Sequence, residues 1–81
     1  MTEDELRHQL AEIIALERAS NIDWERVSTL SLSLVAKLVN DGGRICPTRI
    51  YRFIDDFDIR KRDAIYADKQ RAEVSDFLER H

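Results

Sequence analysis

The sequence predicts an all-α fold: a bundle of three to four helices with a central apolar helix at about residues 23–40 and a long C-terminal helix. Three observations predict it. Apolar residues recur at helical spacing in each main segment, helix start signals precede the first two, and helix-breaking residues are rare. Pro47 is the only proline, and Gly42 and Gly43 are the only glycines. A chain of 81 residues has room for one core, so we expect a single domain over residues 1–81.

The first predicted helix begins with a capping box. Thr2 and Glu5 have the spacing at which each side chain bonds the backbone N–H of the other. Apolar residues then follow at helical spacing: Leu6, Leu10, Ile13, Ile14 and Leu16. We expect this amphipathic helix to end near residues 19–21.

The second predicted helix has Asp23 at its N-cap, with Ile22 before it and Val27 four residues after it, the spacing of a hydrophobic staple. The alternation of leucine and serine over residues 30–34 also fits a strand. At about 100° per residue, however, the helix separates a polar face from an apolar arc of roughly 200°. The helical interpretation accounts for more residues, so we prefer it.

An apolar arc of roughly 200° is about twice what one core-facing side needs. We therefore expect this helix to be contacted from two directions, with the C-terminal helix packed across it. Ser28 and Ser31 lie inside the arc, where each hydroxyl can bond the carbonyl four residues earlier. A glycine of the pair at 42–43 is expected to end the helix in the left-handed C′ conformation.

A third helix is expected after the connector, capped by Cys46 or Thr48 with Pro47 in or before its first turn. Its apolar stripe consists of Ile50, Phe53, Ile54 and Phe57. Asp58 either caps a fourth helix or lies inside a continuous one; both alternatives stay open. From Ile65 onward one side of the C-terminal helix is mainly apolar, with Gln70 among Tyr66, Ala67, Val74, Phe77 and Leu78.

Composition favours the cytoplasm. The acidic N-terminus lacks the layout of a secretory signal, and no segment has the roughly 20 apolar residues that a membrane span needs. Cys46 is the only cysteine, which excludes an intrachain disulfide and favours a reducing compartment.

Basic residues are concentrated in the middle of the chain. Residues 44–62 carry six basic and three acidic side chains, within a chain of net charge −3. The second and third predicted helices with the turn between them roughly resemble a helix-turn-helix, which would make the third the reading helix. The connector from Asp41 to Pro47 is longer than the usual turn, and overall acidity opposes attraction to DNA. The candidate contacts for a partner or for nucleic acid are Arg44, Arg49, Tyr51, Arg52, Arg60, Lys61 and Arg62.

Other candidate chemistry has simpler explanations. The carboxylates of Asp55, Asp56 and Asp58 would diverge on a helix, and local ion pairs with Arg52 explain two of them. Cys46 is a reactive thiol near arginines or, as we prefer, a half-buried small residue. His8 and His81 have no other histidine or cysteine at zinc-ligand spacing. We expect no catalytic residues, no metal site and no cofactor.

These observations predict a non-catalytic protein–protein interaction or regulatory module rather than an enzyme. Its expected partner is another protein or a second copy of the chain, because the second helix is more apolar than a domain this small can easily cover. The alternative is a helix-turn-helix-like regulator that binds nucleic acid through the basic 44–62 segment.

Overall fold

A computed structural model describes residues 1–41 and 45–80. This part of the chain contains five α-helices and no strands, so the all-α prediction is confirmed, but the number of helices is larger than the three or four expected. The helices are α1 (Glu3–Glu17), α2 (Trp24–Asn40), α3 (Thr48–Asp55), α4 (Phe57–Arg62) and α5 (Ala64–Glu79).

The beginnings of α1 and α2 follow the predicted capping chemistry. The Thr2 hydroxyl accepts from the Glu5 backbone N–H at 3.1 Å, and the Glu5 carboxylate accepts from that of Thr2 at 3.4 Å. The Asp23 carboxylate accepts from the Arg26 N–H at 3.1 Å. Helix α1 ends at Glu17, somewhat before the predicted end, while the predicted glycine cap of α2 lies outside the described residues.

The segment after α2 is divided differently from the prediction. Pro47 is the N-cap of α3 and provides no side-chain bond, so neither Cys46 nor Thr48 caps this helix. Helix α3 ends at Asp55 and α4 starts at Phe57, so Asp58 lies inside α4 and is not a cap. The chain is helical through Asp58, as the other alternative had it, but the helix is broken at Asp56. The last helix is capped by Asp63, whose carboxylate accepts from the Tyr66 N–H at 3.0 Å.

The packing order corrects a second prediction. Helix α2 packs against α1, α3 and α4, and α5 also packs against α1, α3 and α4. Helices α2 and α5 have no backbone contact, so the C-terminal helix does not pack across α2. The core between them is mainly aliphatic: Leu6, Leu10, Ile13, Ile14, Val27, Leu34, Leu38, Ile50, Phe53, Ile54 and Val74.

Candidate functional site

The described basic residues of the 44–62 segment have three different environments. Arg49 and Arg52 are exposed on α3, and Lys61 and Arg62 are exposed on α4. Tyr51 is half-buried and packs against the core. Arg60 is buried, and Arg44 lies outside the described residues. The segment is therefore not one continuous basic surface.

Arg60 corrects the sequence prediction, because its side chain is enclosed in the protein and cannot contact a partner. Its Nε and Nη2 donate to the carboxylate of Glu17, each at 2.9 Å. Its Nη1 donates to the Gln70 side-chain oxygen at 3.1 Å and to the Phe53 carbonyl oxygen. The guanidinium carbon lies 3.9 Å from the centre of the Phe53 ring, a cation–π contact. Because Arg60 is followed by Lys61 and Arg62, the sequence suggested that its charge is exposed, whereas its side chain lies in the core.

Glu17 is the acidic partner that sequence reasoning missed. Its side chain is fully buried at the end of α1, and its carboxylate also accepts from Arg71 Nε at 3.0 Å. A signal was present, because position 17 follows Ile13 by four residues and Ile14 by three and thus lies on the buried stripe of α1. An acid at such a position indicates a buried cationic partner, since an unpaired buried charge is very unfavourable.

A second set of hydrogen bonds continues from Gln70 toward the surface. Gln70 Nε2 donates to Asp56 at 3.2 Å and to the Tyr66 hydroxyl oxygen at 3.1 Å. The Tyr66 hydroxyl donates to the same Asp56 oxygen at 2.7 Å, and this bond raises the pKa of Tyr66 above its ordinary value of 10.0. Asp56 thus accepts from α5. Among the ion pairs of the described residues, Arg52 pairs with neither Asp55 nor Asp56, contrary to the prediction.

Arg49 and Arg52 line a groove of about 200 Å³ between α3 and α5. The groove is completed by Tyr66, Lys69, Gln70 and Glu73 from α5. Within the described part of the chain, neither arginine nor Lys69 forms an ion pair, since no carboxylate there lies within 4.0 Å of them. We name this set of six residues the basic groove. Lys69 was missed by sequence reasoning, because it is separated from the basic segment along the chain.

Lys61 belongs to a different surface. It lines a depression between α2 and α4 together with Trp24, Ser28 and Phe57, and with the acidic residues Glu25 and Asp58. The two exposed arginines of α3 and Lys61 therefore line separate depressions. A nucleic-acid backbone that followed the whole segment would have to contact both.

One side of α2 is apolar and uncovered. Leu32 and Val39 are 57% and 64% exposed, and Ala36 between them is exposed as well. Their spacing of four and three residues places them in one strip along the helix. From Val27 to Asn40 only Lys37 carries a charge, in a protein with 36% charged residues. We call Leu32, Ala36 and Val39 the α2 flank.

The remaining polar residues singled out in the sequence do not converge. Cys46 is half-buried against the core, as preferred, and burial raises the pKa of its thiol to about 11, which counts against the reactive-thiol alternative. His8 is exposed on α1, and His81 lies outside the described residues. Over residues 1–41 and 45–80, no three potential metal ligands cluster. In the same ranges, no helix is both long enough and apolar enough to cross a bilayer.

Ser31 corrects the prediction for the hydroxyls of α2. It is fully buried among Val27, Leu34 and Leu38 on the core side of the helix, and its oxygen has no hydrogen-bond partner among residues 1–41 and 45–80. The bond to the carbonyl four residues earlier is instead made by exposed Thr29, at 3.0 Å from Glu25.

Comparison of the chain with protein-family models, with curated proteins and with solved structures finds no match, so any functional assignment depends on the surfaces described above.

Proposed function

We propose that this protein is a non-catalytic protein–protein interaction module that forms a homodimer through the α2 flank. The observation that carries this proposal is the exposure of Leu32 and Val39, at 57% and 64%, on an otherwise almost uncharged length of helix. Depletion of charged residues is characteristic of the centre of protein interfaces. The lone, half-buried cysteine supports a reducing location such as the cytoplasm.

A second copy of the chain is the occupant that best fits this surface. In a two-fold interface the same patch meets itself, so any charge at its centre faces the same charge. The α2 flank consists of two aliphatic residues and an alanine, which brings no like charges together. Ala36, between Leu32 and Val39, is small enough for two helix axes to approach to about 8–10 Å.

The size of the flank indicates a weak dimer. Full burial of a leucine or valine contributes about 1.5–3 kcal/mol, and these side chains are already partly covered. Four of them, two from each copy, therefore contribute about 4–8 kcal/mol, from which the loss of translational and rotational freedom must be subtracted. With a cost of at least about 4 kcal/mol for association, at most about 4 kcal/mol remains, so we expect a dissociation constant of about 1 mM or weaker.

Sedimentation equilibrium from about 20 μM to about 1 mM tests the dimer. The expected result is a mass that rises from one chain toward two, and Leu32→Asp should keep the protein at one chain throughout because it places two carboxylates in the interface. Ile65→Asp is the matched control, since Ile65 is an aliphatic residue 83% exposed on α5, a helix without backbone contact to α2.

Two results would contradict the homodimer. If the measured mass stays at one chain at every concentration, a second copy does not bind the α2 flank, and its partner would have to be a different protein. Equal loss of association in Leu32→Asp and Ile65→Asp would mean that self-association does not use α2.

The nucleic-acid-binding alternative ranks second. Exposed Arg49 and Arg52 on α3, the helix that would read the bases, support it. The burial of Arg60 and the separate position of Lys61 count against it, because fewer cations can then contact one backbone. It predicts salt-dependent binding to duplex DNA that is lost in the double variant Arg49→Ala/Arg52→Ala.

A further inference from the structure

The basic groove combines unpaired cations with a floor of fixed polar side chains. Arg49, Arg52 and Lys69 face one acid, Glu73, among the lining residues. Arg49 and Arg52 are three residues apart on α3, where like charges repel each other unless an anion lies between them. If Asp56 beneath the floor is counted with Glu73, three cations face two acids, and the net charge of the groove is still positive.

The floor of the groove is held by bonds that do not involve a ligand. The Tyr66 hydroxyl donates to Asp56 and accepts from Gln70, and Gln70 is 7% exposed and accepts from the buried Arg60. These two side chains therefore have fixed positions and their polar atoms are already bonded. The free donors are those of the three cations at the rim.

The donors at the rim suit an oxyanion. A guanidinium presents several N–H groups in one plane, a geometry that matches two oxygens of a phosphoryl group, and an ammonium adds a point charge. Arg49 is the second residue of α3, whose N-terminus has no side-chain cap, so the helix dipole adds positive potential at this end of the groove.

We propose that the basic groove binds a phosphate monoester dianion through Arg49, Arg52 and Lys69. A volume of about 200 Å³ accommodates one phosphoryl group and a small part of the molecule that carries it. A monoester carries about −1.5 to −2 charges at neutral pH, whereas each phosphate of a nucleic-acid backbone carries one. The groove lies on α3 and α5, so this site is independent of the proposed dimer.

Titration of the full chain with inorganic phosphate, followed by amide chemical shifts, tests this proposal. We expect saturable shifts at the backbone positions of the groove, with sodium chloride at the same ionic strength producing none. Arg52→Gln should weaken phosphate binding at least about tenfold, the loss expected for one charge-assisted hydrogen bond of about 1.5–3 kcal/mol. Phosphoserine and a phosphoserine peptide, titrated in parallel, distinguish a free metabolite from a modified protein as the natural source.

Arg62→Gln is the matched control, because it removes an exposed arginine of α4 that does not line the groove. It should bind phosphate as tightly as the unmodified chain. Equal weakening in Arg62→Gln and Arg52→Gln, shifts that do not saturate, or shifts reproduced by chloride would each overturn the proposal. So would tighter binding of single-stranded DNA than of phosphoserine at equal phosphate concentration.

Discussion

Glu17 and Arg60 occupy positions where a small helical protein normally has apolar side chains. Both side chains are fully buried, and they are joined by two short hydrogen bonds rather than by a distant attraction. Leaving one of them without its partner is far more unfavourable than replacing both with apolar residues. The pair therefore favours this one arrangement of helices, since other arrangements would leave a charge buried and alone.

Ser31 is the opposite case, since its buried hydroxyl has no partner in the described part of the chain. We expect Ser31→Ala to raise the free energy of unfolding by about 1 kcal/mol, because an unsatisfied hydroxyl leaves the core and alanine favours the helix. Urea denaturation measures the change. Ser33→Ala, on the exposed side of the same helix, is the control and should gain only about 0.5 kcal/mol from helix propensity. A loss of stability in Ser31→Ala would mean that the hydroxyl has a partner in solution.

At the scale of the elements, capping chemistry predicted where α1 and α2 begin, because Thr2 and Asp23 bond their own helices locally. The break between α3 and α4 was not predictable in this way. Asp56 at this break bonds Tyr66 and Gln70 on α5, ten and fourteen residues later. A break that is accompanied by contacts with another helix leaves no pattern in the local sequence. Because Asp55, Asp56 and Asp58 lie so close together, the sequence did not indicate which aspartate is at the break.

Glu17 on α1 pairs with Arg60 on α4 and with Arg71 on α5, so loss of its charge should affect three helices of the bundle. Glu17→Gln leaves Arg60 buried without a negative charge, and we expect it to lower the free energy of unfolding by about 3 kcal/mol or more. Chemical denaturation followed by circular dichroism measures this loss. Glu12→Gln is the matched control on the same helix, because Glu12 pairs with Arg26 at 3.5 Å on the surface. An exposed pair contributes about 0–1 kcal/mol, so equal losses in the two variants would contradict the importance of burial.

At the scale of the molecule, the sequence indicated an apolar arc on α2 wider than one core-facing side, but not what would cover it. The positions of α1, α3 and α4 leave the α2 flank exposed, and α5 packs elsewhere. The basic groove was only half predictable. Arg49 and Arg52 lie three residues apart in a basic segment, whereas Lys69 joins them only because α5 folds back along α3.

Two neutral groups make the fold sensitive to alkaline pH. The pKa of Cys46 rises from 9.0 in an exposed thiol to about 11 through burial, and that of Tyr66 rises above 10.0 through its bond to Asp56. A raised pKa means that the unfolded chain releases its proton first as pH increases. Both groups therefore stabilise the fold fully below about pH 9, and this contribution is lost as pH rises toward the folded pKa values.

We expect the free energy of unfolding to fall between pH 9 and about 11, where Cys46 titrates, and Tyr66 to extend the fall at pH above 10. Urea denaturation at a series of pH values measures this slope. In Cys46→Ala the fall should be shallower from pH 9 upward, and in Tyr66→Phe only above pH 10, because each variant lacks one titrating group. Other titrating groups are common to the variants and to the parent, so their contribution cancels in the comparison. Identical slopes in all three proteins would show that neither proton is held by the fold, and that the bond between Tyr66 and Asp56 does not persist in solution.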